Sequence, residues 1–591
     1  MNNQIAWFIL FVICAAVCTY IFFRTVPEPA DVLYVNGRIY TMDANMSVAD
    51  AMATRGGRIV AVGSKDDLQK KVRAKQIVDL GSKAVFPGFI DAHGHLMSLG
   101  VSKITVDLVG APSEAAIAVL VEQRVKKTEA GLWVRGRGWD QNLWQSKRFP
   151  SHEVLDRISP NNPVYLVRID GHAAWVNKKA LEIAGITRET ADTSGGKIVR
   201  DAAGNPTGVF VDNAMDLVSR FLPPPTVKES EEAITLAVEE CLQFGIVCVD
   251  DMGVDSKEIE VYKGLIDKNE FPFRVYAAIG GLGETWDHYT KKSPEGPAKG
   301  PLMGYGDNRL WVRAIKLYVD GALGSRGAAL LEPYSDDPGN RGLTVTDERS
   351  LKQAVDEALN SGFQVCTHAI GDRGNNIILN VYESALKQHP AGDYRLRVEH
   401  AQVVALNDIP RFKQLGVIPS MQPTHCTSDM YWAEARLGPS RVLGAYAWRS
   451  FLNTGVIIPG GSDFPIENPN PILGIYAAIT RQDIHGRPRN AEDIKAYFQL
   501  SQSGLRDSAA FENGWYASQK MTREEALRAY TNWAAFAAFQ ETMLGSLEKG
   551  KLADFVVLSK DIMKIEASEI PGTNVERTYL GGKMVYSRSQ E

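Results

Sequence analysis

Apolar and polar positions follow two different rhythms along this chain. From residue 30 to 83 the phrases ADVLYVNGRIYTM and MATRGGRIVAVG alternate short strands with turns, which predicts an all-β segment. The same texture returns over 543–591, in GSLEKGKLADFVVLSKD and VERTYLGGKMVYS. Between them, from 84 to 542, short β-branched runs recur with helical stretches in between, the pattern of parallel strands joined by crossover helices. Five of these runs end on a side chain able to do chemistry. Residues 86–95 close on His93 and His95, 311–316 on Lys316, 363–368 on His368, 396–400 on His400 and 456–463 on Asp463. Residues 110–225 break the rhythm with tryptophan-rich phrases and PPPT, and read as an inserted cap. At the start, residues 5–23 contain neither charge nor proline and are long enough to cross a bilayer as a helix, so a transmembrane anchor is expected over 1–25.

Alternation decides what the histidine pair can do. Side chains at i and i+2 of a strand share a face, so His93 and His95 can offer two imidazoles to one ion. Ligands at the ends of separate parallel strands are how a (β/α)8 barrel builds a site at its top face. Taken singly, each of these histidines fits a packed core residue equally well.

Together, the ordered set His-x-His, Lys, His, His, Asp resembles the amidohydrolase superfamily, and within it the N-substituted formamide deformylase-like branch, amidohydrolase family 3. VFPGFIDAHGHL, GRGWDQNLW, VYLVRIDGHAAWVNKKAL, GSRGAAL, THAIGDRGNN, VEHAQ, SMQPTH, GSDFPIENPNP and GSLEKGKLADFVVL carry the likeness over nearly all of the chain after the apolar segment. The resemblance implies an α/β fold: a distorted (β/α)8 TIM barrel with a small β-sandwich built from both ends of the soluble chain. It makes His93, His95 and Asp463 ligands of one divalent ion. Lys316, carboxylated on its amine, would bridge that ion to a second held by His368 and His400. An unmodified Lys316 beside a single ion, or paired with Asp320, is the alternative. Zinc suits the nitrogen and oxygen donors, with iron, manganese or nickel also open. The implied activity is hydrolysis of a non-peptide carbon–nitrogen bond in an N-acyl or N-formyl amine, by metal-activated water with Asp463 as general base and acid. Two other readings stay open: an isomerase or hydratase using the same site, and a catalytically silent membrane-anchored regulatory protein.

Further pocket candidates are polar residues near strand ends and aromatic residues of the insert. His172 could bind a substrate carbonyl or cap local structure, and His425 falls on a top-face loop. Arg326 and Arg373 sit in Gly-flanked turns, where they could bind an anion or pair locally. Trp139 and Trp175, with Trp144, suggest an aromatic wall, although such rings also fill cores.

Composition bounds the remainder. At 591 residues, net charge −5 and 45% hydrophobic content, the chain suits a large barrel with a satellite domain, and no basic stripe argues for nucleic acid. Neither a Gly-x-Ser-x-Gly elbow nor a phosphate loop is visible. The six cysteines show no disulfide framework. Expected partners are a small-molecule substrate, the membrane through the N-terminal helix and, as a further option, a second copy in a homodimer. Arg24 and Arg38 after the apolar segment lean toward a single-pass anchor with a cytoplasmic catalytic domain.

Overall fold

The computed structural model describes residues 7–8, 27–223, 225–291, 299–498 and 511–589. Seven parallel strands form a nearly closed barrel, in the order Phe89–Gly94, Ile246–Val254, Arg274–Gly280, Leu310–Tyr318, Gln364–Ala369, Arg397–His400 and Ile418–Ser420. Parallel strands covered by helices are buried on both faces, which explains the unbroken apolar runs. Every residue of Gln364–Ala369 is buried, including its histidine. The outer helices Val227–Gln243 and Ser256–Asp267 start at capping boxes, Thr226 with Glu229 and Asp255 with Glu258. These satisfy backbone N–H groups that have no partner within the first turn.

The eighth position is filled by residues 456–464, which the sequence presents as a strand ending at Asp463. Instead the segment is irregular and meets its neighbours through single bridges, Met421 with Gly460 and Gly94 with Phe464. Pro459 has no N–H to give a ladder. The approach is also too close for side chains: a Cβ on Gly461 would stand 2.6 Å from Asp91 Oδ1 and 2.7 Å from His93 N. The glycine lets this segment press against the strand that carries the histidine pair. The Asp463 N–H then donates to His93 O.

Two further sheets flank the barrel. The first joins both halves of the chain, in the order Lys583–Ser587, Val575–Leu580, Phe555–Leu558, Ala84–Pro87, Glu28–Tyr40, Val48–Arg55 and Arg58–Gly63, with Val72–Asp79 also paired to Glu28–Tyr40. Tyr34, Met52 and Ile59 pack there with Phe555, Val557 and Tyr579. Because Ala84–Pro87 runs straight into the first barrel strand, this sheet fixes where that strand begins. A buried ion pair, Arg274 Nε to Asp554 Oδ2 at 2.6 Å, ties it to the barrel.

The second sheet has six strands, in the order Gly196–Arg200, Pro206–Asp212, Ala173–Val176, Val164–Arg168, Val134–Trp139 and Val106–Asp107. Alternation gives it two faces. Val134, Val164 and Leu166 turn away from the barrel into a separate core, while Arg135, Arg137, Tyr165 and Val167 face the cavity at the barrel mouth.

Among the described residues no helix is long and apolar enough to cross a membrane. The single-pass anchor, and the membrane location and partnership drawn from it, are therefore corrected. Except for Trp7 and Phe8, residues 5–23 lie outside the described part of the chain.

Candidate active site

The ends of five barrel segments bring His93, His95, Lys316, His368, His400 and Asp463 to the floor of one cavity. What holds each imidazole from behind sets its orientation. His93 Nδ1 lies 2.6 Å from Glu399 Oε2, His95 Nδ1 2.8 Å from Met252 O, and His400 Nδ1 2.8 Å from Gln422 Oε1. With Nδ1–H donating outward, each ring turns its Nε2 inward. His95 Nε2 and Asp463 Oδ1 are then 3.0 Å apart, and His93 Nε2 is 3.5 Å from the same oxygen. Atoms this close need either a proton or a metal cation between them.

Two groups have the spacing of a cation site: His93, His95 and Asp463, and also His400, His425 and Asp463. In each, the candidate ligand atoms lie within 4.8 Å of one another. Asp463 Oδ1, His368 Nε2 and His425 Nε2 are buried without a hydrogen-bond partner. A buried polar atom is normally paired, so these orphan atoms fit a divalent ion. The His400 ring stands 4.7 Å from His93 and 4.6 Å from His368 between centroids, and Lys316 Nζ is 3.2 Å from His93 Nε2.

Charge states agree with this geometry. Burial pushes His93 down to about 4, helped by Lys316, and burial holds His368 and His400 well below the usual range, so all three are neutral at physiological pH. Burial also lowers the Lys316 amine to about 8. For Asp463, burial works upward, but His93, His95 and His400 overcome it and hold the carboxyl well below the usual carboxylate range. His400 and Asp463 also have left-handed backbones, with φ 73° and 58°. Strain of that kind in non-glycine residues collects at functional sites.

The cavity encloses about 590 Å³. His172 enters it from the six-stranded sheet, its ring 5.3 Å from His368 and its Nδ1 2.7 Å from Asp212 Oδ1. Burial would lower this histidine, but the Asp212 hydrogen bond prevails and pushes it up to about 9. His425 also lines the cavity, with Nε2 3.7 Å from Asp463 Oδ2.

Four pocket expectations are corrected. Trp139 and Trp175 are buried in the core behind the six-stranded sheet, and their indole N–H groups donate to Leu166 O and Ser151 O. Trp175 shares the core face of its cross-strand partner Leu166, and a register shift between Arg137 and Trp139, at Gly138 with φ 110°, takes Trp139 off the cavity face of Arg135 and Arg137. Arg326 pairs with Asp336 at 2.9 Å, and Arg373 is tied to Gly342 O, so neither reaches the cavity lining.

The supporting residues had escaped notice in the sequence. Glu399 is held by Arg397, whose guanidinium also reaches Asp250 and Ala92 O. Burial works to raise the Glu399 carboxyl, and Arg397 holds it far below its ordinary value. An Arg-x-Glu pair inside an apolar strand was the available signal, since such charges are rarely buried unless paired.

A sequence model of the amidohydrolase family matches residues 76–586. The chain belongs to the amidohydrolase family. This amidohydrolase is 35% identical over 571 residues to Protein LONG AFTER FAR-RED 3 of Arabidopsis thaliana, covering 94% of this chain and 92% of that one. It is 27% identical over 572 residues to N-substituted formamide deformylase of Arthrobacter pascens, with 95% and 99% covered. Among solved structures, an uncharacterized metal-dependent hydrolase from Pyrococcus horikoshii superposes with a TM-score of 0.68 at 26% identity, covering 91% of this chain and 99% of that chain.

Proposed function

We propose that this amidohydrolase cleaves a carbon–nitrogen bond other than a peptide bond, in an N-substituted amide of the N-acyl or N-formyl amine type. The observation that carries the reading is the cluster of imidazoles around the ionised Asp463, with His93, His95 and His400 held from behind at Nδ1. The resemblance to N-substituted formamide deformylase supports the bond type.

His93, His95 and Asp463 would hold one divalent ion, and His368 and His400 a second, with zinc expected from the nitrogen and oxygen donors. A bound ion supplies Lewis acidity toward water and toward a carbonyl oxygen. Asp463, ionised at neutral pH, accepts a proton from the attacking water and returns it to the departing nitrogen. His172 is protonated and oriented by Asp212, so it can donate to the carbonyl oxygen as negative charge develops there. Lys316, with its lowered amine, is neutral often enough to take up carbon dioxide. The resulting carbamate is an oxygen donor, where an ammonium could not be a ligand.

Elemental analysis of metal per chain, with the intact mass of a non-acidified sample, tests this reading. One or two ions per chain and, for the bridged form, the added mass of carbon dioxide are expected. Asp463→Asn should keep metal and lose several orders of magnitude in kcat. A chain purified without chelators that carries no metal, or an Asp463→Asn variant with ordinary turnover, overturns the reading.

A further inference from the structure

Beyond the metal cluster, the cavity runs between helix Leu96–Ile104 and the inner face of the six-stranded sheet. Its walls there are largely apolar with small hydroxyls between: Met97 and Val101, one helical turn apart, line it with Tyr165, Val167 and Leu222, and Ser98, Ser102 and Thr105 lie beside them. Two guanidinium groups interrupt this surface. Arg135 and Arg137 alternate on one strand, in register with Tyr165 and Val167, and both line the cavity.

Among the described residues neither arginine makes a salt bridge, although Asp463, Asp170 and Asp107 act on the charge of Arg137, and Glu229 on that of Arg135, from a distance. Arg137 donates from Nη1 to Pro465 O at 2.5 Å and from Nη2 to Ile169 O at 2.7 Å. Arg135 donates from Nη2 to Pro223 O at 2.5 Å. Carbonyls orient a guanidinium but do not neutralise it, and five N–H donors per arginine leave most unused. Arg168, which also lines the cavity, is by contrast matched by Asp140 and Asp170, each at 2.5 Å. Arg274 and Arg397, buried elsewhere, are likewise carboxylate-paired. A cavity-facing arginine without a salt bridge is a site for an external carboxylate, because its planar fork matches a carboxylate's two oxygens.

Position fixes which part of a substrate this charge would meet. Arg137 stands against Pro465, two residues beyond Asp463, while Arg135 lies one step further out beside Pro223. We propose that the substrate carries a free carboxylate on an apolar body, with the carboxylate on Arg137, Arg135 adding charge further out, and the scissile amide over the metal cluster. This inference rests on the amide-hydrolase reading and narrows its substrate class to anionic amides.

N-formylphenylalanine and its carboxamide, each as both enantiomers, differ at one end in charge and serve as probes. The holoenzyme should favour the acid over the carboxamide by about 30-fold or more in kcat/KM. Arg137→Met should bring that ratio to within a few-fold of unity, Arg137→Lys should recover part of it, and Arg135→Met should reduce it less. A wild-type ratio near unity overturns the proposal. So does an Arg137→Met variant that weakens both probes alike, the behaviour of a clamp between Pro465 and Ile169, or one that leaves the preference intact, as when the carboxylate goes to the metal instead. Calorimetric Kd values on the metal-loaded protein separate the two readings. No turnover with an Arg137-dependent preference in binding removes the hydrolase and keeps the carboxylate site, while turnover without preference does the reverse.

Discussion

At the level of single residues, the site depends on partners that point away from the reaction. His93 faces the cluster because Glu399 holds its Nδ1, and Glu399 remains a carboxylate in a fully buried setting because Arg397 lies against it. Glu399→Gln should therefore lower metal affinity by about 10- to 100-fold while leaving every candidate ligand in place. Competition against a chromophoric chelator measures this, with a thermal melt to confirm that the variant is folded. The candidate ligands could be picked out in the sequence because each stands at the end of a short run rich in β-branched and other apolar residues. Their supports could not, since Gln422, Met252 and Asp212 become neighbours only through folding and carry no local signature. The tryptophans misled for a related reason: an indole is equally suited to a binding wall and to a core, and only the face of the strand decides between them.

Element by element, the sequence conveyed the barrel better than its closure. Four of the seven regular strands, Phe89–Gly94, Leu310–Tyr318, Gln364–Ala369 and Arg397–His400, coincide with the runs read in the sequence, because burial on both faces favours apolar side chains at successive positions. The eighth segment has such a run too, yet Pro459 and the glycines after it give a close, irregular contact in place of a ladder. That contact aims Asp463, so it is sensitive to volume. Gly461→Ala forces a methyl group toward Asp91 Oδ1 at 2.6 Å and the His93 amide at 2.7 Å. The expected result is a loss of about 1–3 kcal/mol in urea unfolding, as for other overpacked interiors, together with weaker metal binding because His93 and Asp463 are displaced. An alanine variant with unchanged midpoint and metal content would mean that the segment has room to relax.

Across the whole molecule, the barrel and the eight-stranded sheet meet through apolar packing and through a buried charge pair. Asp554 accepts from both Arg274 Nε and Nη2, and also from the Gly581 N–H. Asp554→Ala leaves a buried guanidinium without its counter-charge, which should cost about 3–5 kcal/mol in chemical denaturation. Loss of less than about 1 kcal/mol would show that the two parts are held by apolar packing alone. The same sheet has a consequence for how the protein is made. Phe555–Leu558 pairs with Ala84–Pro87, which leads directly into the histidine-bearing strand, and Tyr34 Oη reaches Gly582 O across 548 positions of sequence. A chain emerging from the ribosome thus displays the first barrel strand long before its neighbour in this sheet has been synthesised. Contacts of such long range slow folding and leave apolar edges open to association in the meantime. Final seating of the strand that carries His93 and His95 is accordingly a late event in biogenesis, gated by completion of the polypeptide.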